Sequence, residues 1–122
     1  MIKLELTGVH TQVSDDLKKY INKKIGKLDR FLPKHARESA HGEVFIKESK
    51  NKGKPQHTAE VVLKLKQETL TAKETTVNPF AAVDIVEAKL KNQMRKYKDK
   101  HTHKKFHHKV LARMKRNNRS SV

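Results

Sequence analysis

Asn78-Pro79 opens a stretch in which Phe80, Val83, Val86, Leu90, Met94 and Tyr97 recur three or four residues apart. That spacing puts them on one stripe of an α-helix. Asparagine is a good N-cap, and proline suits the first helical position because its missing N–H would have no partner there. The helix is expected to run to about Lys100. A helix with a single apolar stripe must lay that stripe on another layer. The rest of the chain therefore has to supply a surface, and its alternating segments do so.

Residues 2–7 read as a strand, with Ile2, Leu4 and Leu6 on one face and Gly8 as its end. Three further stretches alternate with period two. In 39–48, Ala40, Gly42, Val44 and Ile46 share a face; in 57–66, Ala59, Val61, Leu63 and Leu65 do; in 69–76 the pair is Leu70 and Ala72. The intervening "SKNKGKP" reads as an exposed basic turn. Short connections make these three strands an antiparallel meander. Between the first two strands, residues 14–32 form a second amphipathic helix. Ser14 is its N-cap, Asp15 and Asp16 sit at the positive end of the dipole, and Leu17, Tyr20, Ile21, Ile25, Leu28 and Phe31 make its stripe. Gly26 weakens this helix and Leu32-Pro33 ends it.

The order β-α-β-β-β-α predicts an α+β domain over residues 1–100. Its four-stranded sheet carries both helices on one face. Residues 101–122 form a basic His/Lys-rich tail, expected to be disordered when free.

Charge narrows the function. Through Glu87 the chain has 16 basic and 12 acidic residues; from Ala88 onward it has 13 basic residues and one acid, Asp99. The net charge is +16. Such an excess favours a polyanion, nucleic acid before an anionic membrane. No apolar run is long enough to span a bilayer, and MIKLELTGVH lacks the apolar centre of a signal peptide. With no cysteine, a disulfide framework, a thiolate metal site and a cysteine nucleophile are all excluded. Cysteine-free composition fits a reducing cytosol.

Catalysis has little to stand on. The carboxylates are scattered, and the four glycines are isolated, so no phosphate-cradling loop exists. Asp84 and Glu87 read as solvated helix surface balancing Lys89 and Lys91. The segment "DKHTHKKFHHK", 99–109, invites a metal, since His103 and His107 are four apart. However, no third ligand is evident, and Lys104, Lys105 and Lys109 would repel a divalent cation. The expectation is no enzyme, no metal, no cofactor and no small-molecule substrate.

The cations remain. Lys23, Lys24, Lys27 and Arg30 line the first helix outside its stripe. Lys89, Lys91, Arg95, Lys96, Lys98 and Lys100 line the second, and Lys104 and Lys105 continue into the tail. If the helices lie side by side, their outer faces merge into one basic surface. Tyr20, Phe31, Phe80 and Tyr97 fall on apolar stripes, which leaves only Phe45 and Phe106 for stacking on bases. An aromatic platform is therefore disfavoured. Lysine far outnumbers arginine, which favours phosphate contact over base reading. Structured RNA, bound through backbone and shape with strong salt dependence, fits best.

These residues also resemble a known family, the ribosome hibernation factors that include hibernation-promoting factor and ribosome-associated inhibitor A. "MIKLELTGVHTQVSDDLKKYINKKIGKLDRF" is similar to the family's first strand, its turn, and a helix ending K-x-x-K-L-x-R. "PFAAVDIVEAKLKNQMRKYKDK" resembles its closing Y-x-A-I-D-x-x-x-x-K-L-x-x-Q-L-x-K-x-K-x-K. The likeness covers roughly residues 1–100. It implies a fold akin to the double-stranded-RNA-binding domain and contact with 16S rRNA of the small ribosomal subunit, alone or within the 70S ribosome. Binding would block mRNA and tRNA at the decoding region under stress or in stationary phase, in the cytoplasm. By position, Lys23, Lys24, Lys27 and Arg30 would carry that contact on the first helix, and Lys89, Arg95, Lys96, Lys98 and Lys100 on the second. The sequence departs from the pattern at Asn78-Pro79-Phe80, where the family has an acidic-Met-Tyr start, and at Asn92, a commonly basic position that receives no role. The length suggests a short-type member without the C-terminal dimerisation domain, monomeric off the ribosome. The alternative is a general structured-RNA or nucleoid-binding protein using the same helices.

Overall fold

The computed structural model describes residues 1–101. The tail beyond them, with Lys104, Lys105 and the histidine pair 103 and 107, lies outside the described residues. The elements run β1 (Lys3–Val9), α1 (Asp15–Lys24), a 3-10 helix (Gly26–Phe31), a one-turn α2 (Lys34–Arg37), β2 (His41–Asn51), β3 (Lys54–Lys64), β4 (Thr69–Thr76) and α3 (Pro79–His101). The sheet order is β1-β2-β3-β4. β2, β3 and β4 form the expected antiparallel meander, while β1 pairs parallel to β2, with Leu4 beside Gly42 and Leu6 beside Val44. A parallel pair needs a crossover, and the segment from α1 to α2 provides it.

The period-two pattern is the core pattern. Ala40, Val44, Ile46, Ala59, Val61, Leu63, Leu70 and Ala72 are buried on one sheet face. They meet Leu17, Ile21, Ile25 and Leu28 from the crossover and Val83, Val86, Leu90, Met94 and Tyr97 from α3 in one cluster. Both caps form as the sequence suggests. Ser14 Oγ accepts from the Leu17 N–H at 3.2 Å, and Asn78 Oδ1 accepts from the Phe80 N–H at 2.9 Å. Tyr97 donates its hydroxyl to Gln67 Oε1, which anchors the buried ring to the loop before β4.

Three expectations need correction. The helix expected over 14–32 does not run through. It stops at Lys24, turns through Ile25, and tightens into the 3-10 segment. The Gly26 carbonyl accepts from the Ile2 N–H at 3.0 Å, and Leu28 N bonds Ile25 O in the i→i+3 manner at 3.1 Å. A carbonyl taken by the residue that leads into β1 is diverted from its place in the helical ladder, and a β-carbon on the buried Gly26 would crowd only the tip of the Met1 side chain, at 2.7 Å. Next, β1 does not end at Gly8 but continues to Val9, followed by His10 at φ 58°. A β-carbon on Gly8 would lie 2.1 Å from the Thr11 carbonyl oxygen, which is backbone and has no rotamer to yield. Gly8→Ala is expected to cost about 2 kcal/mol by forced repacking and to lower Tm by about 10 °C in a circular-dichroism melt. Last, "SKNKGKP" is mostly strand. β2 and β3 extend through it and leave only Lys52-Gly53 as the turn.

Candidate nucleic-acid interface

The first basic group lies where α1 gives way to the 3-10 helix. A 3-10 helix has three residues per turn, so Lys27 and Arg30 share one side while Leu28 and Phe31 share another. On the side facing α3, Lys23, Lys24, Lys27, Arg30 and Lys91 line an open recess of about 260 Å³, with Leu28 and Glu87 completing its walls. Glu87 pairs with Lys91 at 3.5 Å, one helical turn along. Lys24 has Asp84 at 3.9 Å just outside the wall, and Lys23, Lys27 and Arg30 have no carboxylate in the wall to offset them. Five positive side chains around one recess repel each other, and a bound polyanion relieves that repulsion.

Phe31 organises the neighbouring flank. Its half-buried ring has the Arg30 guanidinium 5.0 Å from its centre, Lys91 Nζ at 5.8 Å and the Arg95 guanidinium at 5.9 Å. An aromatic face attracts cations at this range. It therefore holds three of them in place and links the recess to the outer turn of α3. The apolar-stripe reading of Phe31 missed this second role. The signal was available: Arg30 adjoins Phe31 in sequence, and Lys91 and Arg95 are one turn apart.

Glu87 balances Lys91 as the sequence suggested, but Asp84 does not serve Lys89 and turns toward α1 instead. Asp84 accepts the Tyr20 hydroxyl and lies 3.9 Å from Lys24. The hydrogen bond to Asp84, with burial and the nearby carboxylate charges, pushes the Tyr20 phenol up to about 12. Tyr20 stacks edge-on against Phe80 at 5.2 Å, so this group ties α1 to α3 beneath the cations.

The lysines of α3 divide between two flanks. Lys91, Arg95 and Lys98 follow i, i+4, i+7 spacing on the side of the recess. Lys89, Lys96 and Lys100 follow the opposite flank, toward β4. There Lys89 Nζ donates to the Lys73 carbonyl at 3.0 Å and pairs with Glu74 at 2.7 Å, while Gln93 Nε2 donates to the Thr71 carbonyl at 2.7 Å. These are carbonyls of an edge strand, and side chains that occupy them guard the edge against strand addition. Lys96 and Lys100 border a separate shallow recess with Glu68, Leu70, Gln93 and Tyr97. The single merged surface expected from sequence is thus one recess plus a second flank.

The open face of the sheet is of mixed charge. Phe45 is half-buried there, beside Thr7 and opposite Glu60. Glu5, His41 and Glu43 bring ligand atoms within 4.8 Å of one another, but Lys64 already pairs with Glu43 at 3.3 Å and competes with any cation. Among the described residues, no helix is long and apolar enough to cross a membrane.

Comparison with known proteins agrees with this architecture. The chain is 34% identical over 98 residues to the ribosome hibernation promotion factor of Lactococcus lactis, covering 80% of this chain and 50% of that protein. It is 36% identical over 98 residues to the ribosome hibernation promotion factor of Staphylococcus aureus, covering 80% of this chain and 49% of that one. It thus spans about half the length of these curated relatives. In structure it resembles a ribosomal subunit interface protein from Coxiella burnetii, with TM-score 0.60 and 26% identity over 80% of this chain and 98% of that one. The N-terminal domain of Thermus thermophilus Protein Y shares the fold, with TM-score 0.59 and 21% identity over 79% of this chain and 97% of that one. The profile of one family matches residues 4–102, nearly the whole of the described fold, and the chain belongs to that family, described as Sigma 54 modulation protein / S30EA ribosomal protein.

Proposed function

We propose that this domain is a non-catalytic translation inhibitor that binds 16S rRNA of the small ribosomal subunit at the decoding region and excludes mRNA and tRNA. The observation that carries the reading is the recess where Lys23, Lys24, Lys27, Arg30 and Lys91 converge. Lysine-dominated, without an exposed aromatic platform, it suits phosphates held in a folded shape. Relatives named for ribosome hibernation support the ribosome as the source of that RNA. Arg95 and Lys98 extend the contact along α3. Lys96 and Lys100 on the other flank meet phosphates farther out, and Lys104 and Lys105, which follow in sequence, add to the contact. The domain acts in the cytoplasm and needs no cofactor or membrane.

Co-sedimentation with purified small subunits tests the reading. Binding at about 0.05 M salt should fall by several orders of magnitude at about 0.2 M, as expected for six or more phosphate contacts. Equal affinity for a random RNA duplex and for small subunits would favour a general RNA-binding protein instead.

Lys89 has a different part, sealing the β4 edge. Lys89→Met is expected to leave small-subunit affinity within about twofold while costing at most about 1 kcal/mol of stability, because the contacts to the Lys73 carbonyl and the Glu74 carboxylate are exposed and water replaces the ammonium. A filter-binding titration and a urea melt read the two effects separately.

A further inference from the structure

The β2–β3 hairpin reaches beyond its own sheet. β1 stops pairing at Val9–Lys47, and β4 stops at His57–Thr76. Past those rungs, Ser49–Gln56, Lys50–Pro55 and Asn51–Lys54 pair only with each other. They form a two-stranded ribbon projecting roughly 10 Å, at about 3.3 Å per rung, plus its turn. Every residue from Lys47 to Pro55 is exposed. This stretch carries four lysines, Lys47, Lys50, Lys52 and Lys54, and one carboxylate, Glu48, which accepts from the Thr11 hydroxyl at 3.2 Å. With both faces of the ribbon in solvent, apolar burial does not explain why it is maintained.

The turn adds an independent sign. Lys52 has φ 54° and Gly53 has φ 78°. A two-residue hairpin turn with both φ values positive favours asparagine or glycine at its first position, where a side chain is least strained. This chain puts a lysine there. Strain kept at an exposed tip points to what the side chain does.

The ribbon is also remote from the recess. It projects from the end of the sheet where α1 and α3 begin, whereas the recess lies at the C-terminal end of α1. The α1 N-terminus between them carries Asp15 and Asp16. Lys18 and Lys19 continue the basic surface along α1, and the acidic first turn interrupts it before the ribbon.

We propose that the β2–β3 ribbon is a second RNA-contacting element, in which Lys50, Lys52 and Lys54 hold phosphates of a separate RNA segment. This rests on the ribosome-binding reading. A domain that clamps two RNA segments at opposite ends gains affinity for a folded RNA that presents both and not for a short duplex.

The experiment compares three full-length proteins with the parent on purified bacterial small subunits across a salt series: a ribbon variant (Lys50→Gln, Lys52→Asn, Lys54→Gln), a recess variant (Lys27→Gln, Arg30→Gln), and Lys52→Asn alone. The ribbon variant should lower the slope of log affinity against log salt by about 2, since three phosphates go unneutralised at roughly 0.7–0.9 each. The single change Lys52→Asn should raise Tm by a few degrees, because the turn is relieved, while weakening binding about fivefold. Higher stability with unchanged affinity would mean that the lysine holds no phosphate. If the ribbon variant keeps the parent slope while the recess variant loses binding, the ribbon is no contact site and the ribosome-binding reading stands. If neither variant changes binding, both the inference and that reading fall. A scanning circular-dichroism melt confirms that each variant is folded.

Discussion

Replacing Lys24, Lys27 and Arg30 with glutamine lowers the affinity for small ribosomal subunits about a hundredfold at roughly 0.1 M salt. The magnitude follows from counterion release: each neutralised phosphate contributes a slope of about 0.7–0.9, which at that salt is about 0.7–0.9 of a decade apiece. Removing three such charges costs a little over two decades, and the salt slope falls by a little over 2. The fold should survive. Lys27 and Arg30 are exposed, and the Lys24–Asp84 pair is a surface contact at 3.9 Å whose worth is at most about 1 kcal/mol. Filter binding over a salt series, with far-ultraviolet circular dichroism as a control, measures both halves. Arg30 should be the most sensitive of the three. Its guanidinium is held 5.0 Å from the Phe31 ring centre, so less side-chain freedom is given up on binding.

Leu90→Ala produces the largest loss of stability. Leu90 is fully buried near the middle of α3, within the core that joins that helix to the sheet and to the 3-10 helix. Truncating such a leucine removes its transfer energy and leaves a cavity, about 2–5 kcal/mol in all. For a domain of this size that is a drop in Tm of about 10–30 °C. Ile85→Ala on the same helix is the control. Ile85 is 38% exposed, and its change should stay within about 0.5 kcal/mol. The contrast matters for function because Lys91 and Arg95 reach Phe31 only when α3 is seated. In Leu90→Ala, small-subunit binding should disappear over the same temperature range as the helix signal.

Much of the fold is legible in the residues alone. Alternating strands and two stripes suffice for the α+β arrangement because one sheet face is buried and one face of each helix is buried. Each periodicity therefore records a real boundary between core and water. Ser14 and Asn78 cap because capping is local. What escaped was non-local or without contrast. The break at Gly26 depends on the Ile2 N–H, which arrives from a different strand. That β1 lies beside β2 is a tertiary choice that no local pattern marks, although the helical crossover between them makes such a pair parallel. The ribbon residues 49–55 are exposed, so no apolar alternation marks them and a turn was the natural reading. Within the candidate site, the split of α3 into a Lys91–Arg95–Lys98 flank and a Lys89–Lys96–Lys100 flank was implicit in the 3.6-residue period. The specific engagement of Lys89 with the β4 edge, and of three cations with Phe31, needed the packing of neighbouring elements.

Chemical probing of 16S rRNA in small subunits, with and without the protein, tests the central claim most directly. The expected result is protection concentrated at the decoding region, abolished by Lys24→Gln/Lys27→Gln/Arg30→Gln, together with loss of bound mRNA. Protection scattered along the rRNA, or confined to a site that leaves mRNA binding intact, would contradict it.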